Sequence, residues 1–467
     1  MKTGTTGTTR TTRRALIGRL GAGAAAGLGG PVALAACAAP GAGGGSAPEP
    51  SRGPVRLVLF HAWDEARLPL MEQMRDEFQK RNPTVTVDFD LAGSTASGMT
   101  SPRVQKLVTA VAGGAQPDVS MIWRGEVPAL AIGGILQPID QLVARDKFDP
   151  RIYYDAEWQT SRYQNKTYVL PNVSAGGWYV QFFNRDHLKE AGFGADQAPA
   201  TWSQAADALR RMTKLEGGRI GRLGGDRSGG VGGFILYVLN NKGRYLSDDG
   251  RKVLFDTPEA TEAIEWWQGF YDPIGGAAAV SAFESAFPAT AAGAPFTVGA
   301  KSFQIQNPSQ IFHIKANNPN IDFGVALPVY GPRDSAGKSY IRGGWGYGLP
   351  AGVKHPAESF LLTKWLSATK EAAGWFMQQQ LRPSPMREVN EDRYYVEKLP
   401  VAWPQLLKAM EKDVPVPITP ADGELDRVLG QLMTDVGAKN GAVRDLIRQA
   451  AADCQRELDT FWARQGK

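Results

Sequence analysis

Few groups in this chain of 467 residues are placed to do chemistry. The four histidines, His61, His187, His313 and His355, stand far apart, and none has a second histidine or a cysteine three or four residues away. That spacing predicts no histidine-based metal centre. There is no G-x-S-x-G elbow, no H-E-x-x-H and no pair of neighbouring cysteines. The run 332–339 (PRDSAGKS) ends like a phosphate-binding loop. Pro332, however, stands where that motif begins with glycine, which removes a backbone N–H, and a strand-like run follows instead of a helix, so nucleotide binding is not expected. The glycine-dense stretch from Gly217 to Gly233 does not follow an apolar strand, and it reads as a flexible loop, not a dinucleotide fingerprint. A carboxylate pair for glycoside hydrolysis stays open, because its separation is a three-dimensional quantity. Asp64 and Glu126 are the pair that the sequence places near one crevice.

The remaining signal is aromatic. Of the 12 tryptophans, Trp63, Trp123, Trp178 beside Tyr179, and Trp345 near Tyr347 fall at turns or strand ends. An indole face packs against the C–H face of a pyranose, while carboxylates, amides and guanidinium groups bond its hydroxyls. This combination suits sugars, although many concave sites mix aromatic walls with a few polar groups. Trp63, Trp178 and Trp345 are read as ligand contacts, and Trp123 fits either role. Trp158, Trp202, Trp266, Trp267, Trp365, Trp375, Trp403 and Trp462 sit mostly in helical patterns and are read as core.

Several elements position these residues. An apolar run at 55–60 (VRLVLF) has strand length, and Leu68, Met71, Met74 and Phe78 then recur at helical spacing until Asn82-Pro83. Val85, Val87 and Phe89 alternate with polar residues. Val104, Leu107, Val108 and Val111 mark a second helix ending at Gly113-Gly114, and 118–123 (DVSMIW) reads as a third strand. This β-α-β-α-β order implies a parallel sheet flanked by helices, with ligands bound outside the carboxyl ends of its strands. His61, Trp63 and Asp64 follow the first strand end, and Trp123, Arg124 and Glu126 follow the third. The middle, about 175–295, is mainly helical. Extended patterns return at 303–305, 321–325 and 345–349, and the clearest closing helices are 358–366 and 424–462.

Composition bounds the class. With 43% hydrophobic and 21% charged residues the chain has ample core material, which excludes fibrous and wholly disordered readings, and its length suits two or three domains. The formal charge of +5 comes from the N-terminus. The first 36 residues hold five basic residues and no acid, and without them basic and acidic residues are equal at 47 each. A nucleic-acid partner is therefore not expected. Residues 12–17 (TRRALI) form a twin-arginine stretch before a weakly apolar Gly/Ala run, an export signal expected to be cleaved. The run ends in 34–37 (LAAC), which resembles a lipobox, so Cys37 is expected to carry the lipid anchor. A Gly/Pro/Ser-rich tether follows to residue 53. With Cys37 acylated, Cys454 has no disulfide partner and is expected to be a small buried group in a C-terminal helix.

On these features the chain resembles the carbohydrate-type bacterial extracellular solute-binding proteins, the lipoprotein receptors of ABC importers. The resemblance covers nearly the whole mature chain. It rests on the lipobox, the first strand and turn with Trp63, 116–119 (QPDV), 169–171 (VLP) followed by 182–185 (FFNR), and 343–349 (GGWGYGL) before the helix at 357–366. Residues 383–387 and the C-terminal helix also fit. A departure lies at 299–303 (GAKSF), where the family often has an Ala-Met pair after a glycine.

The resemblance implies an α/β fold of two lobes, each a sheet flanked by helices, joined by several crossing strands around a ligand cleft that closes at a hinge. Residues 54–172 and 297–345 are expected in the first lobe, and 173–296 and 346–467 in the second, with crossings near 171–175, 294–299 and 343–347. It implies binding without catalysis, no cofactor and no metal, a carbohydrate ligand, membrane permease subunits as partners, and a monomer held outside the cytoplasm. The expected ligand-binding residues are Trp63, Asp64, Trp123, Arg124, Glu126 and Asn172, with Trp178, Tyr179, Trp345, Tyr347 and Arg387. A phosphorylated sugar or glycerol phosphodiester is an alternative ligand, with Arg124, Arg342 and Arg387 as its candidate cations. A lipid-anchored glycoside-active enzyme and a protein-binding surface module are further alternatives.

Overall fold

In the computed structural model the described residues are 48–63, 66–93, 98–99 and 101–466. The expected signal at 1–36, Cys37, the tether up to residue 47, and Asp64 lie outside them. Strand β1, Val55–His61, pairs in parallel with both β2, Val85–Leu91, and β3, Val119–Trp123. Helix α1, Leu68–Arg81, joins the first two and buries Met71, Met74 and Phe78 on one face. It stops where Asn82 turns its side-chain amide back onto the Phe78 carbonyl at 2.9 Å. Helix α2, Pro102–Ala112, starts from Ser101, whose Oγ accepts from the Val104 N–H, with proline at its first position. The expected β-α-β-α-β order is therefore present.

The sheet is completed from distant sequence. The strand Trp345–Gly348 lies antiparallel between β3 and the strand Val169–Pro171, giving five strands with two late additions at one edge. Trp63, Trp345, Tyr347 and β1 side chains share a core with Leu362, Trp365 and Leu366 from the helix Pro356–Ala368.

A second sheet has three strands, with Val180–Asn184 at the centre and Phe303–Gln306 and Phe323–Ala326 antiparallel on either side. This pairing corrects the expected division of the chain. Residues 303–306 and 323–326 were expected with the first sheet, and a crossing was expected at 294–299. Both strands instead bond to 180–184, so the chain stays with the second sheet from 180 to 326 and returns just before Trp345. The helix Pro356–Ala368, expected in the second lobe, packs on the first sheet. Hydrophobic pattern marked these elements as strands and helices but carried no information about partner choice.

Two local expectations also change. The stretch from Gly217 to Gly233 is not a simple loop: Arg219–Arg222 pairs with Lys214–Glu216 in a hairpin, and a helix begins at Gly230 and runs to Leu239. The closing helical segment is two helices, Asp422–Gly437 and Val443–Arg464. They pack in the large core of the second half, where Cys454 is fully buried and its thiol is pushed up to about 12 by burial.

Gly344 shows how tightly the returning segment fits. Its φ is 109°, a left-handed conformation that costs other residues strain. A Cβ there would lie 2.1 Å from Arg124 Nη2 and 2.9 Å from the Val173 carbonyl oxygen. Gly344→Ala is expected to lower stability by about 1–3 kcal/mol or more. Urea unfolding should show an earlier midpoint with an unchanged slope, and an unchanged midpoint would refute the steric argument.

Candidate functional site

Where β1, β3 and the strand 345–348 meet the segments leading to the second sheet, a cleft of about 440 Å³ opens. Its aromatic wall is assembled from four separate parts of the sequence. Trp123, at the end of β3, lies edge-on to Trp178 with centroids 4.9 Å apart, and to Trp345 at 5.3 Å. Trp63, just past β1, lines the same cleft and donates from Nε1 to the Tyr347 hydroxyl at 2.8 Å. Tyr179 lines it too and stacks on Tyr340 at 4.8 Å. Gly343 has to be glycine for this packing, because a Cβ there would lie 2.5 Å from the Trp123 ring.

Charged side chains hold that wall from behind. Arg103, from α2, is fully buried, donates to both carboxylate oxygens of Glu126 and to the Met121 carbonyl, and lies 5.1 Å from the centre of the Trp345 ring. Glu126 also accepts from the Gly98 N–H at 2.7 Å. Burial raises the Glu126 carboxyl above its usual value, with Arg103 opposing. On the opposite side Arg342 forms ion pairs with Asp422 at 3.1 Å and Asp426 at 2.8 Å, and all three line the cleft. Asp422 and Asp426 stand one turn apart at the start of the helix 422–437, so one helix face presents both to a single guanidinium. Burial pushes the Asp422 carboxyl up to about 6, against the pull of Arg342. Arg67 and Arg382 complete the cationic part of the lining, Arg67 donating to Gln380 Oε1 at 2.7 Å and Arg382 lying 5.7 Å from the centre of the Trp178 ring.

Of the residues singled out from sequence, the structure brings Trp63, Trp123, Glu126, Trp178, Tyr179 and Trp345 to this cleft. Four are elsewhere. Arg124 follows β3 as expected but points inward, fully buried, against Glu157. Asn172 is buried and donates to the Leu366 carbonyl. Tyr347 lies one layer below the cleft, under Trp63. Arg387 is exposed, over the Tyr154 ring at 4.4 Å and 3.8 Å from Asp155. The three cations considered for a phosphate therefore do not converge: Arg124 is bonded in the core, Arg342 is paired with two aspartates, and Arg387 lies outside the lining. Sequence reasoning missed Asp422, Asp426, Arg67 and Arg382. The four-residue spacing of the two aspartates was a signal that could have paired them with Arg342.

The family model of the bacterial extracellular solute-binding proteins matches residues 63–373, two thirds of the chain. The chain belongs to that family. A curated binding protein of Brucella abortus (strain 2308) is 24% identical over 400 residues, covering 82% of this chain and 88% of its own. Among solved structures, CpMnBP1 with mannotriose bound superposes with a TM-score of 0.73 at 21% identity, covering 86% of this chain and 100% of its own. The GacH receptor of Streptomyces glaucescens GLA.O, solved unliganded and with acarbose, gives 0.71 at 18% identity, with 87% and 99% covered. The maltose/maltodextrin-binding domain MalE of Bdellovibrio bacteriovorus, bound to maltotriose, gives 0.70 at 17%, with 86% and 100% covered. These likenesses establish the two-lobed α/β fold.

His61, at the end of β1 beneath this site, gives the folded state an acid sensitivity. It is fully buried against the edge of Phe89, and burial pushes its imidazole down to about 4, with Asp90 opposing. An unfolded histidine takes up a proton near pH 6.5, whereas the folded one stays neutral until about 4, so acidification through that window favours unfolding. His187, pushed down to about 4 chiefly by burial, acts in the same direction. Urea unfolding at pH 7 and pH 4.5 should show a loss of stability on acidification that is smaller in His61→Gln. Equal losses in both proteins would assign the sensitivity to other groups.

Proposed function

We propose that this solute-binding protein is a receptor that takes a carbohydrate into its cleft and hands it intact to the membrane permease of an ABC importer. The observation that carries this reading is the convergence of Trp63, Trp123, Trp178 and Trp345 on one cleft already furnished with paired carboxylates and guanidinium groups. Indoles suit the apolar faces of sugar rings, and the charged groups suit the hydroxyls at their edges. The sugars in the CpMnBP1, GacH and MalE structures support the same reading. Export by the twin-arginine route, acylation of Cys37 and attachment to the outer face of the membrane complete the proposal. They rest on the N-terminal sequence, and a monomer with no cofactor is the working form.

Ligand fit should appear as stabilisation. A sugar at 100 times its Kd adds about 2.7 kcal/mol to the folded state. A thermal unfolding screen against mono- and oligosaccharides and their phosphates should find a narrow set that raises Tm, with the sugars recovered uncleaved. No shift with any sugar would overturn the carbohydrate assignment, and recovered cleavage products would overturn the receptor reading.

Trp178 and Trp403 make a paired test of the aromatic wall. Trp178→Ala is expected to weaken binding of the stabilising sugar by roughly 30-fold, the effect of about 2 kcal/mol at a contact hot spot. Trp403, fully buried and stacked on Tyr395 at 3.8 Å, lies in the core of the second sheet. Trp403→Ala should cost about 3–5 kcal/mol of stability while leaving the Kd of the folded fraction unchanged. Calorimetric titration of both variants checks this, and an unchanged Kd in Trp178→Ala would remove that indole from the site.

A further inference from the structure

Beyond Trp178 the cleft does not end. A second chamber, of about 430 Å³, shares Trp178, Tyr179 and Asn307 with the first. Its far side is almost wholly polar, with Asp226, Arg227 and Ser228 from the loop after the hairpin, Glu284 from the helix Gly276–Ser285, and Gln306 from the end of the strand 303–306.

This chamber is a built arrangement. The Arg227 guanidinium lies 3.5 Å from the centre of the Trp267 ring and 4.6 Å from that of Tyr271, so two aromatic rings hold it by cation–π contact. Trp267 is itself anchored, donating from Nε1 to the Ser228 carbonyl at 2.8 Å. Asp226 accepts from the Tyr271 hydroxyl and from Lys301 Nζ, and the same ammonium donates to Glu284 Oε1 at 2.7 Å. Two carboxylates thus face two cations, Lys301 and Arg227, and the formal charges balance. An anionic ring would meet Asp226 and Glu284 as well as Arg227, whereas a neutral ring finds both donors and acceptors for its hydroxyls. In the first chamber Glu126 is paired with Arg103 behind it, and Arg342 with both Asp422 and Asp426, so its carboxylates too already hold cations.

Resting on the carbohydrate reading, we propose that the ligand is a neutral oligosaccharide of at least two rings, one ring against the tryptophans of the first chamber and the next beyond Trp178 beside Arg227 and Gln306. Length selectivity then comes from the second chamber. A single ring can satisfy only one of the two.

Calorimetric titration of the purified protein with one-, two- and three-ring members of glucose, mannose, galactose and xylose series tests this. In the series that binds, the two- or three-ring sugar should bind at least about ten-fold more tightly than its own monosaccharide. Arg227→Ala and the exposed Gln306→Ala should each reduce that advantage while leaving the monosaccharide Kd unchanged. Gln306→Ala keeps the test intact if the loss of Arg227 disturbs folding, since Gln306 carries little packing. Equal affinity for one and two rings, or a length advantage untouched by both variants, would overturn the proposal and leave the sugar receptor standing. Tighter binding of a phosphorylated monosaccharide than of any neutral oligomer would overturn it in favour of an anionic ligand. No binding by any member would bring down the carbohydrate reading as well.

Discussion

The ion pair between Arg124 and Glu157 sits where the chain leaves the first sheet, and the geometry of the cleft follows from it. Both side chains are fully buried, and removing two charges from water costs several kcal/mol per ion unless each finds close partners. Here they do. Arg124 also donates to the Glu157 backbone carbonyl at 2.7 Å, to Thr160 Oγ1 at 3.0 Å and to the Val173 carbonyl at 3.0 Å. The Glu157 carboxylate accepts in addition from Ser174 Oγ and from the N–H groups of Ala175 and Gly176. The pair therefore fixes the backbone from 173 to 176, the segment that carries Trp178 into place. Gly344 lacks a side chain at the spot where Arg124 passes, so the same guanidinium also sets the approach of the returning strand.

That strand is the second dependency. Trp345–Gly348 inserts between β3 and 169–171, and its register sets Trp345 opposite Trp123. A shift by one residue would turn Trp345 to the other face of the sheet and open the aromatic wall. Asp413 steadies the neighbouring backbone from another direction, its Oδ2 accepting from the Gly177 N–H at 2.7 Å. Its carboxyl is pushed up to about 8 by burial, against that hydrogen bond. The wall is thus held by backbone contacts to two buried carboxyls that sequence alone gave no reason to connect.

What could be read from sequence follows the physics of local pattern. Period and turn residues located β1, α1, β2, α2 and β3 because each is decided within a short window. They also placed Trp63 and Trp123 at strand ends, where the cleft lies. Local pattern does not fix the direction of a side chain after a strand end, and so Arg124, next to Trp123, was expected in the cleft and is instead buried. Glu157 lies in a five-residue helix with no periodicity to mark its inward face. Strand partners were equally hidden: 303–306 and 323–326 read correctly as strands, but their pairing with 180–184 depends on contacts more than a hundred residues apart. The resemblance supplied the two-lobed fold and not the assignment of these strands.

Charge pairing inside the cleft bears on what kind of solute it suits. An anion site would leave cations short of partners, with a surplus field to attract the ligand. Arg342, one of the cations of the described lining, has two aspartates within 3.1 Å. Any anion approaching it must compete with carboxylates that are already bound and partly desolvated, while a hydroxyl can donate to one of them without displacing the guanidinium. Opposite charges fixed close together create little field at a distance but offer strong local donors and acceptors. Association with such a site gains little from electrostatic steering and depends on shape, stacking and hydrogen-bond fit. Those terms grow with the length of a neutral chain of rings, and the two chambers that meet at Trp178 provide room for that growth.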